Sequence, residues 1–207
     1  MKNFMEKYNV SRETFDQLKT YQSLLIDWQE KFNLVSKSSI DDAWNRHFLD
    51  SVQLFQYIPE NAKNLIDFGS GAGFPGMVLA IVAKEKTPYL KVVLTDSIKK
   101  KTVYLNEVAN KTNTDVEIVN DRIENIPNQK YDVITSRAMT SLSDLLKYSY
   151  PFCHKETLCI FPKGKNYALE LKEAHLKWKF KCEIKASEQS EEGKILLISN
   201  IKKKEKK

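Results

Sequence analysis

Glycine is scarce in this chain, six residues in 207, and four of the six fall between positions 69 and 76. Cysteine is scarcer still. Cys153, Cys159 and Cys182 are odd in number and lack metal-ligand spacing, which argues against a disulfide framework or a zinc cluster and suits a reducing compartment. No apolar run approaches the roughly 20 residues of a membrane span, and Met1-Lys-Asn-Phe-Met-Glu6 lacks the apolar stretch of a signal peptide. Such a chain is expected in the cytoplasm, as a monomer with no membrane partner. Internal repeats and long linkers are also missing. At 42% hydrophobic content, 207 residues can bury a core without disulfides or metals, which suits one domain with an attachment.

The clustered glycines lie in Leu65-Ile-Asp-Phe-Gly-Ser-Gly-Ala-Gly-Phe-Pro-Gly76, where a short apolar run ends in an acid and then in a turn. Glycines at 69, 71 and 73 let the backbone approach a ligand where a Cβ would collide, and Pro75-Gly76 suits the opening of a helix whose free N–H groups face that ligand. Gly71-x-Gly73-x-x-Gly76 also satisfies the dinucleotide fingerprint, which keeps an NAD-binding oxidoreductase as a distant alternative. The register argues against it. Asp67 stands two residues before Gly69, where a carboxylate repels a diphosphate but suits the ammonium and sulfonium of S-adenosylmethionine. Acid-x-Gly-x-Gly-x-Gly is similar to the first motif of Rossmann-like methyltransferases. A glycine-rich turn with no ligand is the plain alternative.

The flanking pattern alternates strand and helix. Strands are expected at 65–68, 90–95, 116–119, 131–135, 157–161, 180–186 and 194–200, with helices at 76–83, 99–112, 142–150 and 167–178. This implies an α/β fold of the Rossmann-like class, with a seven-stranded, mostly parallel sheet and an antiparallel last strand, because the connection 188–193 is too short for a crossover. Asp96 ends the second strand twenty-seven residues after Gly69, a distance suited to accepting hydrogen bonds from ribose hydroxyls. Ile123 is placed to cover an adenine face, with Glu124 or a nearby backbone group receiving the adenine amino group. Ser136-Arg-Ala-Met139 follows the fourth strand at the same rim.

Ahead of this core, Ser11 is expected to cap a helix in which Phe15, Leu18, Tyr21, Leu25, Trp28 and Phe32 recur at spacings of three or four. A second amphipathic helix is expected over 42–57. The resulting organisation is a helical extension over 1–60, a core over 61–200 and a basic tail over 201–207. Net charge is +6 and the pI about 9.0, with excess lysine at 99–101, at Lys163 and Lys165, and in the tail. Such a surface favours a polyanion, most often RNA or DNA, with Lys99, Lys100 and Lys163 expected to contact RNA; a solvated face is the alternative. Arg46-His-Phe-Leu-Asp-Ser51 places His47 and Asp50 on one helix face, with Arg46 and His47 expected as substrate contacts, or else plain helix hydrogen bonding.

Lys31-Phe-Asn-Leu34, Arg46-His-Phe-Leu-Asp-Ser51, Ile66 to Gly76, Leu94-Thr-Asp-Ser97 and Ser136-Arg-Ala138, in this order and spacing, resemble the ribosomal RNA small subunit methyltransferase G family, also called glucose-inhibited division protein B. The resemblance runs from about residue 24 to residue 164. It implies methyl transfer from S-adenosylmethionine to N7 of a single guanine in the decoding-region loop of 16S rRNA, as free RNA or in the small ribosomal subunit. It also implies Gly69, Phe74, Ile123, Glu124 and Arg137 as cofactor positions, beside Asp67, Gly71, Gly73 and Asp96 from the spacing argument. Ala72 stands where the family often has proline, and Phe161-Pro-Lys-Gly164 departs from its Leu-Lys-Gly type of segment.

Guanine N7 carries an in-plane lone pair and needs no general base, so placement carries the reaction. No Asn/Asp-Pro-Pro-Tyr motif follows the fourth strand, against exocyclic amino methylation of adenine. No cysteine nucleophile stands there either, against a covalent pyrimidine mechanism. Arg137 occupies that slot and is assigned to cofactor contact and to orienting the guanine, the alternative being a structural pair with an acid such as Asp67 or Asp144. Methylation of another RNA, DNA or a small molecule is the second reading, and a non-enzymatic RNA-binding protein a further one.

Overall fold

The computed structural model describes residues 2–205. Seven strands form one sheet in the order β3-β2-β1-β4-β5-β7-β6: β1 (Asn64–Phe68), β2 (Lys91–Thr95), β3 (Glu117–Val119), β4 (Tyr131–Thr135), β5 (Cys153–Lys163), β6 (Trp178–Ala186) and β7 (Lys194–Lys203). The pairings β1/β2, β1/β4, β2/β3 and β4/β5 are parallel, while β7 runs antiparallel to both β5 and β6. The expected class and strand count hold. Chain direction across the sheet reverses between β1 and β4, and the crevice at the carboxyl ends of those strands is where open α/β sheets collect ligands.

Helices cover both faces. On one, α5 (Gly76–Lys86) and α6 (Lys99–Lys111) pack beneath an N-terminal layer made of α1 (Lys2–Tyr8), α2 (Arg12–Gln29) and the turns that follow; on the other lie α7 (Leu142–Ser149) and α8 (Tyr167–Lys177). From Gly76 to Ala83 every residue of α5 is buried, so this helix shows no amphipathic stripe. Ser11 Oγ accepts from the Thr14 N–H at 3.1 Å, the expected cap, and Glu85 at the end of α5 accepts from Thr14 Oγ1 at 2.6 Å, pinning α2 to the core. Phe15, Leu18, Tyr21 and Leu25 are buried as their spacing predicts, whereas Phe32 lies beyond the helix end.

The helix expected over 42–57 is not one helix. The chain passes through α3 (Lys37–Ile40), a π-helical turn (Trp44–Leu49), α4 (Asp50–Val52) and a 3-10 turn (Gln53–Tyr57). Wide π turns cluster at functional sites, and this one carries Arg46 and His47. Ile201–Lys203 of the expected basic tail complete β7, and the Lys204 N–H donates to the Lys177 carbonyl at 2.9 Å, while positions 206 and 207 lie outside the described residues.

Candidate active site

A cleft of about 550 Å³ opens at the carboxyl ends of β1, β2 and β4, lined among others by Gly69, Asp96, Ile123, Glu124, Met139 and Tyr148. That is within the range of small-molecule sites, roughly 300–1,000 Å³. Backbone position makes it possible. Gly69 holds φ +61°, and a Cβ on it would lie 2.9 Å from Met139 Cγ and Sδ. Asp96 reaches the cleft from the end of β2 with 7% of its surface exposed. Its Oδ2 accepts from the Gly71 N–H at 2.9 Å and its Oδ1 from the Ile98 N–H at 2.8 Å, while Lys101 Nζ stands 3.9 Å from Oδ2. Four positions expected at a cofactor, Gly69, Asp96, Ile123 and Glu124, are thus brought together, and Gly71 supports one of them through its amide.

Asp67, Gly73 and Phe74 lie beneath the loop and do not line the cleft. Asp67 is wholly buried. Its Oδ1 accepts from Thr135 Oγ1 at 2.7 Å and its Oδ2 from the Gly76 N–H at 3.3 Å, so its oxygens face the loop interior rather than a ligand's ammonium. Burial pushes its carboxyl up to about 6 against the opposing pull of those hydrogen bonds. Gly73 is threaded at φ +93° between Leu105 and the Tyr21 hydroxyl, which donates to the Ala72 carbonyl. Phe74 stacks on Tyr21 at 5.3 Å and on the His47 imidazole at 5.0 Å.

Arg137 turns away from the cleft toward the N-terminal layer. Its guanidinium donates to the Arg46 carbonyl at 3.0 Å, to Asp50 Oδ2 at 3.1 Å and to His47 Nδ1 at 2.9 Å, and lies 5.1 Å from the centre of the Phe74 ring. Its acidic partner is therefore Asp50, and neither Asp67 nor Asp144. Arginine has no acceptor, so Nδ1 of His47 must accept, and Nε2 carries the proton donated to Ser39 Oγ at 2.9 Å. Burial first, then the Arg137 and Arg46 charges, drive the imidazole down to about 4 and keep it neutral. Arg46 itself is exposed and donates to the Ser38 carbonyl at 3.2 Å.

A second cavity of about 480 Å³ adjoins the cleft and shares the wall Ala138-Met139-Thr140 with it; Asp50, Arg137, Lys163 and Glu170 line the rest with the β6–β7 connection. Ala138 sits in the left-handed region at φ +54°, uncommon for a residue with a Cβ. Lys163 does not project as a free surface charge. Its Nζ donates to the Thr140 carbonyl at 2.9 Å and to Glu170 Oε2 at 2.7 Å. Lys99 and Lys100, at the start of α6, are exposed, and Lys100 Nζ lies 4.8 Å from the centre of the Phe32 ring. The sequence placed Lys101 in the lysine triplet and Met139 at the rim without giving either a role, and sequence reasoning missed Tyr148, Glu170 and the role of Asp50 toward Arg137. Tyr148 and Glu170 carried no signal in the sequence, because their place beside the site is set by how α7 and α8 pack. Among the described residues no helix is long and apolar enough to cross a membrane, and no group of His, Cys, Asp or Glu could hold a metal.

Residues 14–197 match the model of the family described as rRNA small subunit methyltransferase G. The chain is 41% identical over 187 residues to the ribosomal RNA small subunit methyltransferase G of Jannaschia sp. (strain CCS1), covering 90% of this chain and 89% of that protein. It is 39% identical to the protein of the same name from Rhodospirillum centenum over 199 residues, 96% of this chain and 90% of that one. Among solved structures, a SAM dependent methyltransferase from Aquifex aeolicus superposes with a TM-score of 0.57 at 16% identity, over 81% of this chain and 94% of that one, a likeness of fold.

Proposed function

The chain belongs to the rRNA small subunit methyltransferase G family, and from that premise we propose that it methylates N7 of a single guanine in the decoding-region loop of 16S rRNA. It is an S-adenosylmethionine-dependent methyltransferase. The observation that carries the assignment of cofactor and substrate to particular surfaces is the pairing of two cavities across one wall, with the Asp96 carboxylate on one side and Arg137, Lys163 and Glu170 on the other.

The residues present fit the cofactor. Asp96 offers its carboxylate to ribose hydroxyls, and the Gly71 and Ile98 amides already orient it. Ile123 supplies an apolar face for adenine and Glu124 an acceptor for its amino group. Gly69 leaves room for the methionine end beside the carboxyl end of β1. Asp67 acts from behind, fixing the loop to β4 through Thr135 and to the first turn of α5 through the Gly76 amide. Tyr21, Phe74 and Gly73 hold the loop at the N-terminal layer.

When bound, S-adenosylmethionine supplies an electrophilic methyl group on a sulfonium. Because guanine N7 would take the methyl group with its own lone pair as the sulfur–methyl bond breaks and a neutral thioether leaves, this chain's residues would position the base and need not remove a proton. Orientation of this kind is worth roughly 7–11 kcal/mol in favourable cases. Neutral His47 suits that scheme, serving as an acceptor that fixes the Arg137 guanidinium at the mouth of the second cavity. Lys99 and Lys100 meet RNA phosphates on the exposed face of α6, where contacts hold the RNA without reading its sequence. The test is methyl transfer from labelled S-adenosylmethionine to small subunits lacking the modification, with free 16S rRNA in parallel and the labelled base located by N7-specific cleavage. One labelled guanosine in the decoding-region loop is expected. No incorporation into either substrate, with intact cofactor binding, overturns the substrate assignment.

A further inference from the structure

The second cavity contains a side-chain pair that cofactor binding does not use. Glu170, in the first turn of α8, receives two hydrogen bonds on one oxygen: Lys163 Nζ at 2.7 Å and the Leu142 N–H at 2.8 Å both reach Oε2. Among the described residues no donor engages Oε1. Lys163 is in the complementary position. An ammonium has three donors, and two of them are used, on Glu170 Oε2 and on the Thr140 carbonyl at 2.9 Å. Both side chains line the cavity, and both are held in place, Lys163 by the strand β5 that ends with it and Glu170 by the amide that opens α7. A rigid acceptor beside a rigid donor is therefore presented to one cavity that shares a wall with the cofactor cleft.

A base entering that cavity is read on its Watson–Crick edge, as bases taken out of a stack are. Guanine presents a carbonyl at O6 followed by donors at N1 and N2. That order matches a free ammonium N–H beside a free carboxylate oxygen. Adenine presents a donor at N6 and an acceptor at N1, which would set donor against donor and acceptor against acceptor. Resting on the function proposed above, we infer that Glu170, with Lys163, is the guanine-specificity determinant: Glu170 Oε1 accepts from N1–H and N2–H while Lys163 donates to O6. This grip on the Watson–Crick edge leaves N7, on the neighbouring edge beside O6, without a contact to the pair.

Inosine tests the idea, because it keeps O6 and N1–H and lacks only the N2 amino group. Small subunits would be reconstituted with 16S rRNA carrying guanosine or inosine at the target position, and kcat/KM compared for the full-length wild type, Glu170→Gln and Glu170→Ala. Wild type is expected to prefer guanosine by about ten- to a hundredfold, the range of one well-made base contact, and that preference is expected to fall toward one in the variants, with S-adenosylmethionine affinity unchanged. A merely structural Glu170 lowers both rates and leaves their ratio alone. A wild-type ratio near one, an unchanged ratio in an active variant, or loss of both activities in both variants overturns the inference. Failure of wild type to methylate the guanosine subunits would instead strike the functional reading beneath it.

Discussion

Nη2 of Arg137 donates to Nδ1 of His47 at 2.9 Å, with the Phe74 ring 5.1 Å from the guanidinium carbon and stacked on the imidazole at 5.0 Å. The contact joins the rim of the sheet to a π-helical turn some ninety residues earlier in the chain. It also decides the state of the histidine, since a second proton on the imidazole would face a guanidinium that has nothing to accept it with.

Removing that guanidinium leaves the Asp50 carboxylate and the Arg46 carbonyl short of a partner in a half-buried place. Arg137→Ala is expected to lower unfolding free energy by about 1–3 kcal/mol, the cost of stranding such groups, and to reduce methyl transfer strongly. Arg137→Lys keeps the charge and loses the planar fork, so it recovers little. Urea unfolding and single-turnover rates measure the two effects. Full transfer and full cofactor affinity in Arg137→Ala would show that the residue is structural.

Acid should weaken the fold through His47. Its folded-state pKa of about 4 lies below its ordinary value of 6.5, so the unfolded chain binds more protons between the two. The stability linked to neutral His47 is whole above about 6.5 and declines as pH falls toward 4. Asp67 works with the opposite sign, its raised folded value of about 6 favouring the folded state as pH falls from there toward 3.8. The comparison of wild type with His47→Gln isolates the first effect, because Asp67 is common to both. The melting temperature of wild type is expected to fall more steeply between pH 6.5 and 4. Parallel curves for the two proteins would contradict the depressed imidazole.

Asp96 is expected to govern cofactor affinity. Asp96→Asn keeps one acceptor for the Gly71 or Ile98 amide and loses the charge facing ribose. Affinity for S-adenosylmethionine by calorimetry should fall at least about tenfold, in line with charge-assisted hydrogen bonds worth roughly 1.5–3 kcal/mol, with guanosine selection untouched. Unaltered affinity would remove Asp96 from the cofactor site.

These assignments differ in how far the chain itself announces them. The strand Tyr131–Thr135 is legible to the residue because its β-branched run is bounded sharply, and Asp96 is legible because spacing from the glycine loop follows from the βαβ unit. The Trp44–Leu49 segment reads as ordinary amphipathic helix, since apolar periodicity does not distinguish α from π winding over six residues. α1 carries no strong pattern of its own and is held by Phe4 packing on Phe15 and Trp44. Glu170 was invisible for a different reason. Its importance lies in one unused oxygen, which depends on where Lys163 and the Leu142 amide fall in space.

Salt dependence should separate the lysines. Lys99 and Lys100 are exposed, so each phosphate contact they make should contribute roughly 0.7–0.9 to the slope of log affinity for rRNA against log salt. Lys163 is neutralised by Glu170 at 2.7 Å. Lys99→Ala and Lys100→Ala are expected to flatten the slope, while Lys163→Ala leaves it unchanged and lowers the rate instead. Equal slopes across all three variants would place the RNA elsewhere on the surface.

Gly69 and Met139 offer a test of the wall between the two cavities. Gly69→Ala meets two obstacles: a left-handed backbone at φ +61°, costing about 1–2 kcal/mol for a residue with a Cβ, and the Met139 thioether 2.9 Å from the new carbon. Met139→Ala removes the second obstacle and leaves the first. In a double-mutant cycle, Gly69→Ala should therefore cost less in the Met139→Ala background, with a coupling of about 0.5–3 kcal/mol expected for residues in contact. Cofactor affinity should follow the same order, because Met139 lines both the cleft and the second cavity, where a displaced side chain would intrude. If Gly69→Ala costs the same in both backgrounds, the thioether yields freely, and the barrier between cofactor and base is the backbone of Ala138 and Thr140 rather than the methionine.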